Sequence, residues 1–256
     1  MAHNTTRYIL HAGVETPPEF LAALRDELDD VASHQFLTSH SLHQLTSLLA
    51  EATGATVIVP ITAGRDKTLL SNVGRAAAWV RSQSGSADPG GICVVPEMIT
   101  PTIITANLRK QLRQLDPERD VAIVASTSID EFADAELFRL ARLAWVNGTG
   151  VTVDVAFDDV FPSCAEVAAR YPDKKPAIIR ADFHNGLGGA GGSGSAEPNP
   201  AARPLLSIPS AAMLVQRQIS TALQLLQDHH DDGIDAAVLA DHEHGHAHSH
   251  VHHHHH

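Results

Sequence analysis

Short runs of apolar and β-branched residues alternate with longer amphipathic segments along most of this chain. No other feature constrains the fold as strongly. The predicted strands are 8–10, 56–61, 92–95, 121–124, 151–157 and 177–179. Short apolar runs separated by helices are typical of strands that are buried on both faces. The pattern therefore predicts an α/β fold in which helices cover parallel sheets.

Helix starts are marked by capping residues. Thr16 and Glu19 have the spacing of a capping box, as do Ser163 and Glu166, and the proline after Thr100 is typical of a first helical turn. Apolar residues at helical spacing follow these and other positions. The predicted helices are centred on 20–31, 42–52, 69–80, 101–115, 137–144 and 210–226, with a short helix after Ser163.

The two halves of the chain repeat one pattern. Segments 8–11 and 57–59 parallel segments 122–125 and 177–179 in their order and in the helices that follow. A duplicated α/β unit with a boundary near Asp116 is the economical interpretation. The alternative is that any chain of alternating strands and helices aligns loosely with itself.

The duplication predicts an N-terminal unit at 1–116 and a C-terminal unit at 117–235. The histidine-rich composition of the C-terminus predicts a separate tail at 236–256. The Gly- and Ser-rich segment 186–204 predicts a flexible loop inside the second unit. From Asp241 onward the tail is rich in histidine and has almost no apolar content, so the tail is predicted to be disordered.

Composition narrows the class of protein. The net charge of −12 and the 4% of aromatic residues argue against a nucleic-acid partner. No apolar run approaches the roughly 20 residues that a membrane helix needs, and the polar N-terminus predicts no signal peptide. Cys93 and Cys164 are far apart, which fits a reducing cytoplasm. We expect a cytoplasmic protein, and its oligomeric state is left open.

His11 is the first candidate for chemistry. It lies at the carboxyl end of the first predicted strand, just before Gly13. Ligands of parallel α/β sheets bind in the crevice beyond such strand ends, where an imidazole can ligate a metal or accept a proton. The alternative is a histidine that only hydrogen-bonds its own loop.

The loop after the second predicted strand supplies further candidates. Gly64, Arg65 and Lys67 are predicted to lie at the same rim, where two cations favour an anionic substrate. The alternative is a solvated turn. Asp182 and His184 occupy the corresponding position in the second half and suggest either a second site or a vestigial rim. Glu97 is a further possible carboxylate at a strand end.

Other histidines are candidate metal ligands. His34, His40 and His43 surround the second predicted helix, although their spacing is weak evidence for a metal site. The tail is the strongest compositional signal, because closely spaced imidazoles bind Ni²⁺, Co²⁺, Zn²⁺ and Cu²⁺. The predicted tail ligands are His242, His244, His246, His248 and His250. The closing 252–256 run can be an expression tag.

Several segments resemble the sirohydrochlorin chelatase family in its long, two-unit form. In the second half, 134–145 is similar to the helix after that family's first strand, and 153–157 with 161–163 is similar to its next strand and helix start. In the first half, the similar segments are 9–13, 35–37 and 57–64. The resemblance covers about residues 6–228.

The resemblance implies two flavodoxin-like units with a cleft between them. It implies insertion of a divalent metal, Fe²⁺ ahead of Co²⁺, into the tetrapyrrole sirohydrochlorin on the way to sirohaem or cobalamin, with no permanently bound cofactor. His11 matches the histidine that holds the metal and helps to remove pyrrole protons. Arg65 and Lys67 are then candidates for binding the substrate carboxylates.

The chain also departs from the family pattern. Arg65 stands where the family has a second histidine, and Thr38 stands where it has a glutamate. His34, His40 and His184 are candidate substitutes, and His184 is predicted as a metal ligand beside His11. The alternative to an enzyme is a non-catalytic metal chaperone on the same fold.

Overall fold

The chain forms parallel sheets covered by helices. A computed structural model describes residues 6–31, 35–83, 91–146, 150–185 and 202–241. The strands are β1 (Arg7–Ala12), β2 (Phe36–Ser39), β3 (Thr56–Ile61), β4 (Ile92–Val94), β5 (Val121–Ser126), β6 (Thr152–Phe157) and β7 (Ala177–Arg180). The helices are α1 (Pro18–Val31), α2 (Leu42–Ala50), α3 (Lys67–Gln83), α4 (Pro101–Arg113), α5 (Glu131–Val146), α6 (Cys164–Ala169), α7 (Ile208–His229) and α8 (Ile234–Val238).

The two halves build sheets with matching topology. The first sheet has the order β2-β1-β3-β4 and the second has the order β6-β5-β7. Every pairing is parallel, and in each sheet the first strand of the half lies between the next two. The prediction of an α/β fold with two parallel sheets is therefore confirmed. The matched order also agrees with the interpretation of a duplicated unit.

One helix from each half packs against the sheet of the other half. α4 comes from the first half but packs against α5 and β7, whereas α7 comes from the second half but packs against α1, β3 and β4. Gln111 of α4 even covers the open edge of β7, because its side-chain amide donates to the Arg180 carbonyl (2.9 Å) and accepts from the Arg180 N–H (3.3 Å). The predicted boundary near Asp116 thus separates the two sheets but not the helices that cover them.

A shared core joins the sheets. On β1, Leu10 belongs to a cluster with Val124 of β5 and with apolar residues of α1, α4, α5 and α7. Ile9 points to the opposite face, into a second cluster formed with α2, α3 and α8. Because consecutive strand residues face opposite sides, this alternation explains why the central strand reads as a continuous apolar run.

Some local predictions are confirmed and others are wrong. Ser163 and Glu166 form the expected capping box, and Thr100 caps α4. Thr16 does not cap α1, which begins at Pro18; its hydroxyl donates instead to the Ile61 carbonyl at 2.7 Å. Strand β2 and helix α8 were not predicted; the apolar run of β2 is only Phe36 and Leu37, and α8 has only five residues.

The predicted tail begins inside an ordered element. Residue 236 lies within α8, which packs on α3, and the side chain of Asp241 pairs with Arg75 at 2.6 Å. The Gly-rich segment 186–201 and the tail segment 242–256 lie outside the described residues. None of the helices in the described part of the chain combines the length and the apolar character that a membrane crossing requires.

Candidate functional site

His11 occupies the carboxyl end of the central strand of the first sheet. Its Cα pairs in register with Ser39 of β2 and Pro60 of β3. The residue is only 2% exposed, and it lines a cavity at this end of the sheet. The predicted position of His11 at a strand end is therefore the position that the structure gives it.

Hydrogen bonding fixes the tautomer of His11. Nδ1 lies 3.1 Å from the Ser39 hydroxyl, and that hydroxyl donates its proton to the Ser41 carbonyl at 3.2 Å. A hydroxyl has one proton, so Ser39 must accept a hydrogen bond from Nδ1–H. Nε2 then carries the lone pair, and no described residue hydrogen-bonds to it. Burial, with a smaller effect from the nearby His40, lowers the pKa of His11 to about 4, which keeps the ring neutral at pH 7.

The cavity beside His11 has a volume of about 700 Å³ and is formed by both halves of the chain. We call it the His11 cavity. Its first-half lining comes from the loops after β1, β2 and β3 and from the starts of the helices that follow them, including His40, Asp66 and Asn72. Its second-half lining is Ile129, Asp130 and His184. Among the described residues that line it, none is a lysine or an arginine.

His184 faces this cavity from the second half. Its Nδ1 lies 3.3 Å from the Asp182 carboxylate, and its backbone N–H donates to the same carboxylate at 3.1 Å. The hydrogen bond to Asp182 raises the pKa of His184. His184 and His11 therefore line one cavity with opposite shifts of pKa.

Asp182 is held by a buried polar network at the end of the second sheet. The guanidinium of Arg180 donates to Asp182 at 2.6 and 2.9 Å and to Asp158 at 2.6 and 2.8 Å. Burial by itself would raise the pKa of Asp182, but the hydrogen bond from His184 and the charge of Arg180 lower it well below its usual range. Asp182 is consequently an anion that fixes the orientation of His184.

Arg65 lies in the interior and not at the rim, so its predicted placement is wrong. Its side chain is fully buried, with Nε 3.1 Å from the Glu15 carboxylate. Its Nη2 donates across to the second half, to the Ser126 hydroxyl at 2.6 Å and the Thr127 carbonyl at 2.8 Å. Because an unpaired charge is costly to bury, these contacts hold the guanidinium in place and join the two halves.

Gly64 and Lys67 also lie beside the cavity and not in its lining. Gly64 has φ +101°, and a Cβ there would collide with the carbonyl of Ile99. The Lys67 ammonium pairs with the Glu97 carboxylate. A substrate-binding role for Gly64, Arg65 and Lys67 stays a prediction, and the geometry gives each of them a structural contact.

The other predicted histidines divide into three groups. His40 lines the His11 cavity, whereas the exposed His43 does not. His34 and the tail histidines His242, His244, His246, His248 and His250 lie outside the described residues. Within the described ranges, no group of three or more His, Cys, Asp or Glu side chains is arranged to hold a metal ion. Among the described residues, His11 thus has no ready-made set of partner ligands for a metal ion.

Several residues of the site were not singled out from the sequence. Glu15 is fully buried; burial raises its pKa, while the Arg65 charge and the Thr62 hydrogen bond oppose that rise. Asp66 caps α3 through the Leu69 N–H at 2.8 Å and lines the cavity. An acidic residue just before a predicted helix was a usable signal for Asp66. Glu15 gave no such signal, because its partners are distant in sequence.

Comparisons with known proteins assign no family. No family model matches the chain, and no curated protein matches it. Among solved structures, it is similar to a multi-domain protein of Deinococcus radiodurans that is described as structurally similar to chelatases and as having two additional novel domains. The TM-score is 0.44 at 13% identity, over 93% of this chain and 54% of that protein. This chain thus spans about half the length of that protein.

Proposed function

We propose that the chain inserts a divalent metal ion, Fe²⁺ ahead of Co²⁺, into sirohydrochlorin in the His11 cavity. The observation that supports this best is the neutral imidazole of His11, whose Nε2 has no hydrogen-bond partner among the described residues. Neutral imidazole is a good ligand for both metals. The cavity volume of about 700 Å³ lies within the usual range for small-molecule sites. The identity of the substrate rests on the resemblance of the sequence to the sirohydrochlorin chelatase family.

The two histidines of the cavity suit different parts of this reaction. Metal insertion needs a ligand for the ion and a group that accepts the pyrrole protons. A pKa of about 4 makes His11 a weak proton acceptor but leaves its lone pair available to a metal. The raised pKa of His184, next to the Asp182 carboxylate, makes that imidazole the better acceptor. We therefore assign proton removal to His184, in place of its predicted role as a metal ligand.

The histidine-rich tail is proposed as a tethered metal store. Asp241, the last described residue, lines a small cavity of about 250 Å³ together with Thr68 and Asp130. Those two residues also line the His11 cavity. The tail thus leaves the described structure beside the proposed site, which favours transfer by high effective concentration. Removing the residues after Asp241 should slow turnover at low metal and leave turnover at saturating metal unchanged.

The decisive test is His11→Ala in an anaerobic absorbance assay of metal insertion into sirohydrochlorin. We expect loss of insertion with both Fe²⁺ and Co²⁺. His43→Ala is the matched control, because His43 is exposed and does not line the cavity. Unchanged turnover of the His11 variant would refute the proposed role.

A second candidate is a metal-binding protein without chelatase activity. The observation that favours it is the absence of lysine and arginine among the described residues lining the His11 cavity, since sirohydrochlorin carries many carboxylates. Arg65, the predicted substrate-binding cation, is fully committed to contacts inside the protein. A tetrapyrrole titration separates the two candidates, because a metal carrier leaves the Soret band of the pigment unmoved.

A further inference from the structure

A second cavity lies beyond the carboxyl end of β4 and shares no lining residue with the His11 cavity. We call it the β4 cavity. Its volume is about 650 Å³. Its lining includes Leu70 in the first turn of α3, Leu225 of α7, and Ala236 and Ala237 of α8. The metal chemistry proposed above does not use this space.

The body of the β4 cavity is apolar. Val94, Val95 and Pro96 form its floor, where the chain leaves β4. Cys93 also lines the cavity, and burial raises the pKa of its thiol to about 11, so it adds no charge at neutral pH. A cavity of this size with mostly apolar walls and a few polar groups is typical of small-molecule sites.

The charged groups of the β4 cavity are unbalanced. Lys67 and Glu97 pair with each other, and the side chain of each is about one fifth exposed. Asp231 is the third charged residue of the lining, and no described lysine or arginine pairs with it. Its carboxylate accepts the Gly233 N–H at 2.9 Å. One cation thus faces two anions, and the net charge of the cavity is negative.

We propose that the β4 cavity binds a small apolar molecule that carries a cationic amine. An ammonium group can pair with Glu97 or Asp231 while its apolar body occupies the space between α7 and α8. A carboxylate of the same shape would meet two anions and one lysine that is already paired. The proposal is independent of the function assigned to the His11 cavity.

Calorimetric titration of the full chain with octylammonium, octanoate and octanol tests the proposal. We expect the ammonium to bind about two- to fivefold more tightly than the alcohol, and the carboxylate to bind most weakly. Ala236→Trp should fill the cavity and remove binding of all three. Ala135→Trp is the control, because Ala135 is also an exposed helical alanine but lies on α5, away from the cavity.

A charge variant tests the preference itself. Glu97→Gln removes one anion and frees Lys67, so octanoate should gain affinity and octylammonium should lose it. Binding of none of the three probes by the unmodified chain, or binding that Ala236→Trp leaves intact, would overturn the cavity assignment. Equal or tighter binding of octanoate to the unmodified chain would overturn the assignment of a cationic ligand.

Discussion

The ring of Phe20 in α1 stacks on the ring of Phe183, which follows β7, with the centroids 4.3 Å apart and the ring planes 7° from parallel. Both rings are almost fully buried. The backbone N–H of Phe183 also donates to the Glu15 carbonyl at 3.1 Å. These contacts join the two halves directly behind the His11 cavity, so the halves are one packed body at the site.

Phe183→Ala should therefore destabilise the whole chain. Loss of a buried aromatic side chain costs about 3–5 kcal/mol, and here it also removes the stacking with Phe20. Chemical denaturation should show one lowered transition for both halves. Phe138→Ala is the control, since Phe138 is 45% exposed, and it should cost much less. Two separate transitions in the Phe183 variant would contradict this account.

Arg65 should contribute to stability more than to substrate affinity. Arg65→Met leaves Glu15 buried without its partner, and breaking a buried pair in this way costs about 3–5 kcal/mol. The double variant Arg65→Met with Glu15→Gln should recover part of that loss. The measurement is the free energy of unfolding by denaturant. If the Arg65→Met variant is as stable as the unmodified chain but binds sirohydrochlorin weakly, the substrate-binding role predicted from the sequence is correct.

Alanine substitutions at two glycines with positive φ should distinguish the cost of backbone strain from the cost of a steric collision. Gly91 has φ +80°, and no described residue lies within 4 Å of a Cβ built there, so Gly91→Ala should cost only about 1–2 kcal/mol. Gly64→Ala should cost clearly more, because its new methyl group meets the Ile99 carbonyl. Thermal unfolding of the two variants gives the comparison. Equal losses would show that the loop shifts to accept the methyl group.

His11 should make the protein sensitive to mild acid. Its folded-state pKa of about 4 lies below the roughly 6.5 of an unfolded histidine, so the unfolded chain takes up the proton first as the pH falls. Stability then declines from about pH 6.5 to pH 4, by about 3 kcal/mol in total. In His11→Gln this contribution should vanish. Unfolding free energies at several pH values provide the test, and identical slopes for both proteins would contradict the shifted pKa.

The sequence pattern predicted most strands and helices correctly, because each of them depends mainly on residues that are close in sequence. Strand β1 and the place of His11 at its end follow from a run of apolar residues and its neighbours. Strand β2 was missed because only two of its four residues, Phe36 and Leu37, are apolar, whereas the equally short β4 and β7 are mostly apolar. Short elements of this kind are fixed by pairing with a neighbouring strand, which a single segment does not reveal.

The site itself depends on contacts between distant residues. Arg65 was predicted at the rim because a loop after a strand is usually exposed, but Glu15 and Ser126 bind it inside. Those partners are 50 and 61 residues away in the sequence. The likeness of the halves in sequence likewise gave no sign that α4 and α7 pack against each other's sheets.

The exchange of α4 and α7 has a consequence for dissecting the chain. A cut between Asp116 and Pro117 leaves each fragment with a helix that packs against the other fragment's sheet. Neither fragment should fold stably when produced alone. Co-expressed, the two should reassemble into a split protein, which offers a reporter of folding that needs no knowledge of the ligand.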